Sequence, residues 1–306
     1  MNLSILANPS TQLEDEIYIH GLKDIIKLIF KENGGVTKIS KKLERKPSAI
    51  KEWGIGRRPI SIRDLKELLK ISEIKNIDNL KNQIDKKEKW MSCKYSWRKL
   101  KFPNALTEDL AYIVGLILGD GSLAGNQSNK KGNWSISAFF DNKEHRAYFD
   151  KLIKKELGFY PKHFLTDKNY HLSCFCSKAA HYLFRNFFEI PNGYKSSIII
   201  APKIIVNASV GIQSAFIRGL FDSDGTFTSN EVRYSTTSKK MAEQMHELLD
   251  LQGIKSSTCT WQKKGPYKLL YTIYIRSKQG KEEYYKKVGF EHPNKKLLLK
   301  NSLIAP

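Results

Sequence analysis

Apolar positions in the first eighty residues recur at the spacing of helices that bury one face against a core. Pro47 suits the first turn of such a helix, and Ser61 with Asp64 forms the capping box of another. Four helices are predicted, over Gly21–Phe30, Thr37–Leu43, Ser48–Trp53 and from Ser61 to about Ile71. The pattern therefore predicts a small all-α domain over residues 1–80.

Two of these helices are joined by a tight turn over Glu44–Lys46, and the second is followed by Gly56-Arg57-Arg58-Pro59. This arrangement resembles the helix-turn-helix of repressor-like DNA-binding proteins. The resemblance implies that the third helix enters a major groove with Ser48 and Lys51, and that Lys46, Arg57 and Arg58 contact phosphates. The alternative is a helical bundle that serves packing or protein contacts. In both cases Trp53 is expected in the core.

The next stretch, residues 81–104, has poor apolar periodicity. Between Lys81 and Lys99 it carries several basic residues, with Trp90, Tyr95 and Trp97 among them. We interpret it as a linker that lies along phosphates. Equally, its aromatic side chains could dock it onto a neighbouring domain, and the two interpretations are compatible.

Two later segments repeat one pattern. Leu106–Gly121 and Gln213–Gly225 are apolar on several faces, and each ends abruptly in Asp-Gly. The two aspartates, Asp120 and Asp224, are 104 positions apart. Each segment predicts a helix of about three turns. Gly121 and Gly225 are predicted to stop these helices, and Thr107 is predicted to cap the first.

Small residues four positions apart leave a groove on each of the two helices. They are Gly115 with Gly119, and Gly219 with Ser223. Helices packed through these grooves would bring Asp120 and Asp224 together at two negative helix ends. Such a pair of carboxylates is tolerated when divalent cations lie between them. Gly115 and Gly219 are therefore predicted at the helix interface, where valine should be damaging and serine milder.

Residues after each Asp-Gly alternate between polar and apolar, as in a sheet with one face in the core. Ser135 and Ser137 lie on the polar face of one such strand. In Lys268–Arg276 the polar face carries Lys268, Thr272, Tyr274 and Arg276. Helices are predicted between the strands at residues 143–157, 177–189, 238–252 and 279–288. With Arg233, these polar side chains are the candidate DNA contacts, and ordinary solvent exposure is the alternative.

The repeated segments resemble the motif of the LAGLIDADG homing endonucleases. The first copy is Ile113–Gly121 (IVGLILGDG) and the second is Ile217–Gly225 (IRGLFDSDG). The first copy departs from the pattern, because Leu118 stands where the second copy has Asp222. The resemblance implies an α+β fold of two pseudo-symmetric αββαββα repeats, at residues 105–205 and 206–306, whose sheets form a DNA-binding saddle.

The resemblance also implies an activity. A monomer would hydrolyse both strands of a long, asymmetric double-stranded DNA target, using Mg²⁺, with Mn²⁺ as the alternative. The implied metal ligands are Asp120, Asp224 and the carbonyl oxygens of Gly119 and Ser223. A lysine recurs at a similar distance after each aspartate, as Lys195 and Lys295, and these resemble the basic residues that the family places near each metal. Lys295 and Lys296 are not separable by sequence, and Lys295 is preferred.

Charge agrees with a polyanionic partner. The chain has 52 Lys and Arg against 31 Asp and Glu, a net charge of +21. Both residues 1–100 and the remainder are basic, so two DNA-facing regions explain the charge better than one basic tail. The alternative is a Lys-rich surface that only keeps the protein soluble. No stretch of 18 apolar residues occurs, which predicts a soluble, cytoplasmic protein.

Cysteine and histidine add no chemistry at this level. Four cysteines are too few and too scattered for a disulfide framework. Cys174 and Cys176 share one face of a strand, but the zinc spacing is incomplete, so packing is preferred. The seven histidines are interpreted as isolated.

Three other functions remain open on the same fold. A transcription regulator would bind DNA without cleaving it, and relatives of that kind often lose the aspartate pair. An intron RNA maturase would use the fold for splicing. An intein is disfavoured, because the sequence starts with Met1 and ends without the terminal His-Asn pair.

Overall fold

The computed structural model describes residues 14–72, 74, 76–94, 98–125, 134–228, 230–262, 265 and 268–304. The chain divides into two compact units. The first holds the chain up to Ala105 together with Ser177–Ala180, and the second holds Leu106–Cys176 and the chain from His181 onward. No helix in the described ranges is long and apolar enough to cross a membrane.

The first unit contains five helices and four short strands among its described residues. In chain order they are β1 (Ile17–His20), α1 (Lys23–Glu32), α2 (Gly35–Leu43), α3 (Pro47–Ile55), β2 (Ile60–Ser61), α4 (Ile62–Ile71), α5 (Ile77–Lys86), β3 (Lys89–Cys93) and β4 (Leu100–Phe102). All four predicted helices are present. The Ser61 hydroxyl caps α4 by accepting a hydrogen bond of 3.0 Å from the amide of Asp64.

The prediction of an all-α domain is wrong, because the strands form one antiparallel sheet in the order β2-β1-β3-β4. Its strands are two to five residues long, too short to show a reliable alternation. The described part of residues 81–104 is likewise not a linker, since it supplies the end of α5 and the strands β3 and β4. Trp90 lies in β3, whereas Tyr95 and Trp97 lie outside the described residues.

Lys89 is a buried charge in this stretch. It looks like one more linker charge, yet its side chain is fully buried. The ammonium donates to the carbonyl oxygens of Ile84 and Asp85, at 3.1 and 2.9 Å, and to Asn104 at 2.8 Å. Lysine at the carboxyl end of a helix satisfies carbonyls that lack a helical partner. Lys89 thus joins the end of α5 to the sheet.

The second unit, together with Ser177–Ala180, contains two repeats of one arrangement. The first consists of α6 (Glu108–Leu118), β5 (Gly121–Ala124), β6 (Ser135–Phe140), α7 (Lys143–Leu157), β7 (Lys162–Leu165), β8 (His171–Cys176) and α8 (Lys178–Tyr182), which continues as a π-helical turn, Leu183–Phe187. A short helix, α9 (Lys203–Val206), leads to the second repeat. That repeat consists of α10 (Val210–Asp224), β9 (Gly225–Thr228), β10 (Glu231–Thr236), α11 (Lys239–Leu251), β11 (Ser257–Trp261), β12 (Leu270–Ile275), α12 (Lys278–Lys287) and α13 (Pro293–Ile304).

The two sheets of this unit have the same topology, β5-β6-β8-β7 and β9-β10-β12-β11, with antiparallel neighbours. The predicted α+β fold with αββαββα repeats is therefore confirmed. Alternate residues of β10 and β12 face the core, where Val232, Tyr234, Ile273 and Ile275 are fully buried. The other side of each sheet carries the polar residues, as the period of two requires.

Candidate active site

Helices α6 and α10 touch through their backbones. A Cβ atom added to Gly115 would overlap the carbonyl oxygen of Phe216 and lie 2.8 Å from the amide nitrogen of Leu220. A Cβ added to Gly219 would overlap the carbonyl oxygen of Tyr112. Because only glycine lets two backbones approach this closely, the helix crossing depends on these two positions. The structure brings the two predicted interface residues together.

The next turn of each helix carries the second small residue. A Cβ on Gly119 would overlap the hydroxyl of Ser223 and lie 3.3 Å from Oδ2 of Asp224. Ser223 in turn donates to the carbonyl oxygen of Leu220 at 2.9 Å. The carboxyl ends of α6 and α10 therefore lie side by side, which is the condition for the two motif aspartates to share one site.

Gly121 and Gly225 do follow the helix ends, but not in the left-handed conformation that usually stops a helix. Gly225 has φ −87° and ψ 163°, which is extended backbone. A Cβ there would lie 2.9 Å from the Cα of Phe221, and one on Gly121 would lie 2.6 Å from the Cα of Ile117. The glycines are required because each following strand folds back against the last turn of its helix.

The surroundings of the two motif aspartates alter their proton affinity. Burial raises the pKa of Asp224 to about 6, and the nearby Asp120 adds to this effect. Burial also raises the pKa of Asp120, whereas Lys295 and Lys195 oppose the rise. Each lysine acts on both acids, so these four side chains form one electrostatic unit. The structure thus assembles all four predicted catalytic side chains.

The two lysines make equivalent contacts. Lys195 donates to the carbonyl oxygen of Gly119 at 2.6 Å and to that of Leu118. Lys295 donates to the carbonyl oxygens of Asp222 at 2.6 Å, Phe221 at 3.2 Å and Ser223 at 3.3 Å. Each ammonium therefore caps the negative end of the motif helix of its own repeat. Burial lowers the pKa of both lysines, and the nearby aspartates oppose this.

The structure separates Lys295 from Lys296, which the sequence cannot do. Lys296 forms an ion pair with Glu291 at 3.2 Å, and 53% of its side chain is exposed. Lys295 faces the aspartates instead. The carbonyl oxygens of Gly119 and Ser223, predicted as metal ligands, already accept from lysines; a carbonyl has a second lone pair for a cation.

Two small cavities flank the aspartate pair. One, of about 290 Å³, is lined by Asp120, Asp141 and Lys295 together with Ser223 and Asp222. The other, of about 220 Å³, is lined by Asp224, Lys195, Gly119 and Thr237. Both are below the size of typical small-molecule sites, and they suit ions, water or a phosphate group. The first cavity has two acids more than the second, Asp141 and Asp222. Asp141 directly follows β6, at the place where Thr237 follows β10.

A hydrogen-bonded network next to the first cavity contradicts the interpretation of isolated histidines. His292 Nε2 lies 2.8 Å from Oδ1 of Asp141, and His145 Nε2 lies 2.8 Å from the hydroxyl of Tyr112. That hydroxyl donates to Asp222 at 2.8 Å. The residues come from distant parts of the chain, so no local spacing could have revealed them. Asp141 is the one charged group lining this cavity that the sequence analysis missed.

Asp222 explains the difference between the two motif copies. Its carboxylate accepts from the backbone amides of Glu291 at 3.0 Å and His292 at 3.2 Å. It therefore anchors the turn that leads into α13 and presents Lys295. Burial raises the pKa of Asp222 to about 6, and these hydrogen bonds oppose the rise. In the first repeat, where Leu118 stands, the amide of Gly193 bonds to the carbonyl of Leu123 at 2.9 Å instead.

The candidate DNA contacts of the second sheet are not equivalent. Arg233 and Arg276 both bind Glu231, at 2.5 and 2.7 Å. Thr272 is buried and shares a hydrogen bond of 3.0 Å with Ser235. Beyond the strand, Lys268 donates to Ser197 at 3.0 Å and lies over the ring of Tyr194. Tyr274 pairs with Arg233 across the sheet.

On the first sheet, Ser135 and Ser137 lie on the polar face, opposite Cys176 and Cys174 of β8. Cys176 is exposed and Cys174 is partly so. The expectation that these thiols serve packing is therefore wrong for Cys176, whereas the half-buried Cys174 is partly packed. The core face of β8 is formed by the alternate residues, among them the buried Phe175.

In the first unit, Ser48 and Lys51 are exposed on α3, whereas Trp53 is buried at 7% exposure. Lys46 immediately precedes the helix. Arg57 is exposed, and Arg58 forms an ion pair with Glu52 at 2.6 Å. The structure thus leaves the candidate groove and phosphate contacts on the surface.

A divalent cation fits the aspartate pair. Within the described ranges no group of three or more His, Cys, Asp and Glu side chains could hold a metal by itself. Two carboxylates with neighbouring carbonyl oxygens are a hard-oxygen set of the kind that Mg²⁺ takes, completed by water and phosphate. The buried Oγ1 of Thr237, which lines the cavity of Asp224, has no hydrogen-bond partner among the described residues. It is placed to bind such a water.

Relatives were found in three comparisons. A model of the LAGLIDADG-like domain family matches residues 211–289. The DNA polymerase of Thermococcus sp. (strain GE8) is 26% identical over 220 residues, which are 63% of this chain and 12% of the polymerase. The glutamine–fructose-6-phosphate aminotransferase of Methanocaldococcus jannaschii is 24% identical over 200 residues, or 64% of this chain and 17% of that protein. The chain thus spans less than a fifth of these relatives' lengths.

Among solved structures, I-DmoI in complex with DNA and Ca aligns with a TM-score of 0.49 at 19% identity, over 63% of this chain and 97% of that chain. The domain match begins within α10 and ends after α12, so it covers the second motif and its sheet. Residues 211–289 match the LAGLIDADG-like domain family, which confirms the family resemblance for the second of the two motif copies.

Proposed function

We propose that the protein is a site-specific endonuclease that hydrolyses both strands of double-stranded DNA with a divalent metal ion. The observation that carries the proposal is the pair Asp120 and Asp224. They stand at the adjoining ends of two helices whose backbones touch at Gly115 and Gly219. Holding both acids ionised at this site costs stability, because loss of solvent around the carboxyl groups raises the pKa of each and the charge of Asp120 raises that of Asp224 further. A cation between them offsets that cost.

The match to two relatives with unrelated names supports an activity of the matched segment that is separate from the reactions those names describe. A DNA polymerase and an aminotransferase have no reaction in common, yet both match about two thirds of this chain with less than a fifth of their own length. The shared segment therefore does not carry polymerase or aminotransferase chemistry. A self-contained domain with its own site is the simpler explanation.

In the proposed reaction, Asp120 and Asp224 would hold the cation, with the carbonyl oxygens of Gly119 and Ser223 and the DNA phosphates as further ligands. A divalent cation in such a site lowers the pKa of water and offsets negative charge on the leaving oxygen. Lys195 and Lys295 supply positive charge beside each scissile phosphate and orient water in the two cavities. The sheets contact DNA through their polar faces, and the first unit contacts DNA through α3.

The proposal is tested on a duplex built from the DNA that flanks the gene, joined across the insertion point. Incubation of the protein with Mg²⁺ is expected to cut both strands, and EDTA is expected to prevent the cut. Binding of the duplex without cleavage in Mg²⁺ or Mn²⁺ would instead indicate a non-cleaving regulator.

Lys295 and Lys296 form a matched pair for testing the lysine role. Replacing Lys295 with methionine removes the charge that faces the aspartates, and cleavage is expected to fall about 100-fold, the loss typical of one electrostatic contact in a transition state. Lys296→Met removes an exposed ion pair, which is worth little, so cleavage should stay within about twofold. Single-turnover rates on the cognate duplex measure both. Equal rates for the two variants would remove Lys295 from the mechanism.

DNA binding by the first unit is best tested by replacing single charged residues. A truncation at residue 80 would separate β1 from β3, with which it pairs, and would break the sheet. Arg57→Ala is expected to weaken DNA binding and to reduce the slope of log affinity against log salt by about 1, as for a lost phosphate contact. Lys70→Ala, on α4, is the control and should leave the slope unchanged. A slope unaffected by Arg57→Ala would argue against a helix-turn-helix at this position.

A further inference from the structure

The outer face of the second sheet carries a cluster built around one acid. Glu231, at the start of β10, is buried at 8% exposure and binds two guanidinium groups. Arg233 donates to Oε1 through Nη2 at 2.5 Å and Nε at 3.2 Å. Arg276 donates to Oε2 through Nε at 2.7 Å. We call Glu231, Arg233 and Arg276, with Tyr274, the arginine clamp.

Tyr274 fixes the planes of the two guanidinium groups. The central carbon of Arg276 lies 3.9 Å from the centre of the tyrosine ring, and that of Arg233 lies 5.2 Å from it. Arg233 and Tyr274 are directly opposite residues in the β10–β12 pairing. A long, flexible side chain normally loses rotamer freedom when it binds. Here the carboxylate and the ring have already restricted that freedom before any ligand arrives.

The clamp still leaves donors available. Side-chain exposure is 58% for Arg276 and 39% for Arg233. Within the described part of the chain, the hydrogen bonds of Arg276 use only its Nε. A guanidinium has five N–H donors in one plane, so an arginine held at Nε keeps the terminal pair for a second partner. A planar partner with two adjacent acceptors matches that pair.

The corresponding face of the first sheet is different. Along β6 it presents Ser135, Ser137 and the exposed Phe139, opposite Cys176, Cys174 and Leu172 of β8. Among the described residues of β6, β7 and β8, the outer face carries one cationic side chain, Lys162 of β7, which lies opposite Cys174. Thiols, serine hydroxyls and aromatic groups contact methyl groups and single acceptors. They do not offer a planar pair of donors.

We propose that the arginine clamp reads guanine, so that a requirement for guanine is confined to the half of the DNA target that the second sheet contacts. Guanine exposes O6 and N7 as adjacent acceptors in the major groove, and a bidentate arginine is the commonest specific contact to them. The inference rests on the proposed function, because it presumes that the sheet faces contact DNA. It adds which base is selected, by which side chains, and in which half.

The experiment is a binding selection from a randomised duplex library with the full chain in EDTA, followed by sequencing of the bound DNA. The wild type is expected to select guanine at one or two positions in one half of the recovered motif. Arg276→Lys keeps the charge but cannot form the planar pair of bonds. Its preference for guanine over the other bases at one position should fall by about 5- to 150-fold, the range for one bidentate contact.

Lys268→Gln is the control, because it removes one positive charge beside the same sheet without touching the clamp. It should weaken binding to every sequence equally and leave the guanine preference intact. Glu231→Gln should reduce the preference by freeing both arginines, while melting of each variant is followed by circular dichroism to verify folding. Two outcomes would overturn the inference and leave the proposed function standing. In the first, the wild type binds duplex DNA without a guanine preference. In the second, the preference survives both Arg276→Lys and Arg233→Lys. Failure of the wild type to bind any duplex overturns the proposed function, and the inference with it.

Discussion

Replacing either Asp120 or Asp224 with asparagine is expected to abolish double-strand cleavage while DNA binding persists. Asparagine has the same shape as aspartate but no charge, so the two helices still pack and the sheets still present their polar faces. What is lost is the negative charge that would hold a divalent cation between the helix ends. We expect the cleavage rate of each variant to fall below detection, at least about 1000-fold.

Charge removal should also relieve the repulsion within the pair. Burial and the neighbouring Asp120 hold the pKa of Asp224 near 6, so at neutral pH the ionised pair is unfavourable in the absence of a cation. Either asparagine variant should therefore melt at the same temperature as the wild type or above it when EDTA is present. The measurements are a single-turnover cleavage assay, a gel-shift titration and a thermal melt on the same preparations.

Asp109→Asn is the matched control. It lies on the same helix as the first motif, in the opening turn, where it pairs with the exposed Lys155. Cleavage by this variant should resemble that of the wild type, because a surface ion pair contributes little. Retention of metal-dependent cleavage by Asp120→Asn or by Asp224→Asn would refute the assignment of the site.

Enlarging Gly115 or Gly219 is expected to damage both folding and cleavage. At each position the first added carbon already overlaps a backbone carbonyl oxygen of the facing helix, and that oxygen cannot rotate away. Even alanine must therefore separate α6 from α10, so serine should be damaging as well, although less so than the larger valine. Overpacking of this kind costs about 1–3 kcal/mol, with valine at or above the upper end.

In a unit of this size, each kcal/mol lowers the melting temperature by about 2–4 °C. Cleavage should fall further than stability, because a separation of about 1 Å between the helices moves Asp120 relative to Asp224 and can cost roughly 100-fold in rate. DNA affinity should change much less, since the sheet faces are distant from the contact. Melting temperature, affinity and single-turnover rate separate these three effects.

Gly211→Ala provides the control on the same helix as Gly219. The three atoms nearest to the added carbon would all belong to the side chain of Glu108, a flexible carboxylate that can move aside. Gly211→Ala should therefore melt close to the wild type, while Gly219→Ala should not. Unchanged melting and cleavage with valine at both Gly115 and Gly219 would mean that the helices do not pack through these residues.

Residues that repeat along the chain could be found from sequence. Asp120, Asp224 and the two small-residue pairs recur with the same spacing in both copies, and recurrence at such spacing has few causes other than a shared geometry. The four helices α1 to α4 were also predictable from their apolar stripes and caps. These signals are local, since each depends on residues within a few turns of one another.

Functional residues that occur in only one of the two repeats could not be identified from the sequence. Asp141 has Thr237 at the equivalent place in the other repeat, so comparison of the copies conceals it. His292 and Tyr112 carry no local signal in the sequence. They join the network through hydrogen bonds to Asp222, from which they lie 70 and 110 positions away along the chain. Lys89 was mistaken for a linker charge because the carbonyls that it caps belong to a helix that the sequence does not show clearly.

The repeat, the α+β class, the motif helices and the acids at their ends were all predictable from the amino-acid sequence. The reason is that hydrophobic periodicity and the placement of small residues at a close helix contact are visible among residues that are near each other in the chain. The tertiary structure alone decided that Lys295 rather than Lys296 faces the aspartates and that residues beyond 80 complete a sheet with β1. It also decided that the two sheets present unlike outer faces. These outcomes depend on which distant backbone atoms and side chains come into contact, and a linear pattern does not specify those contacts.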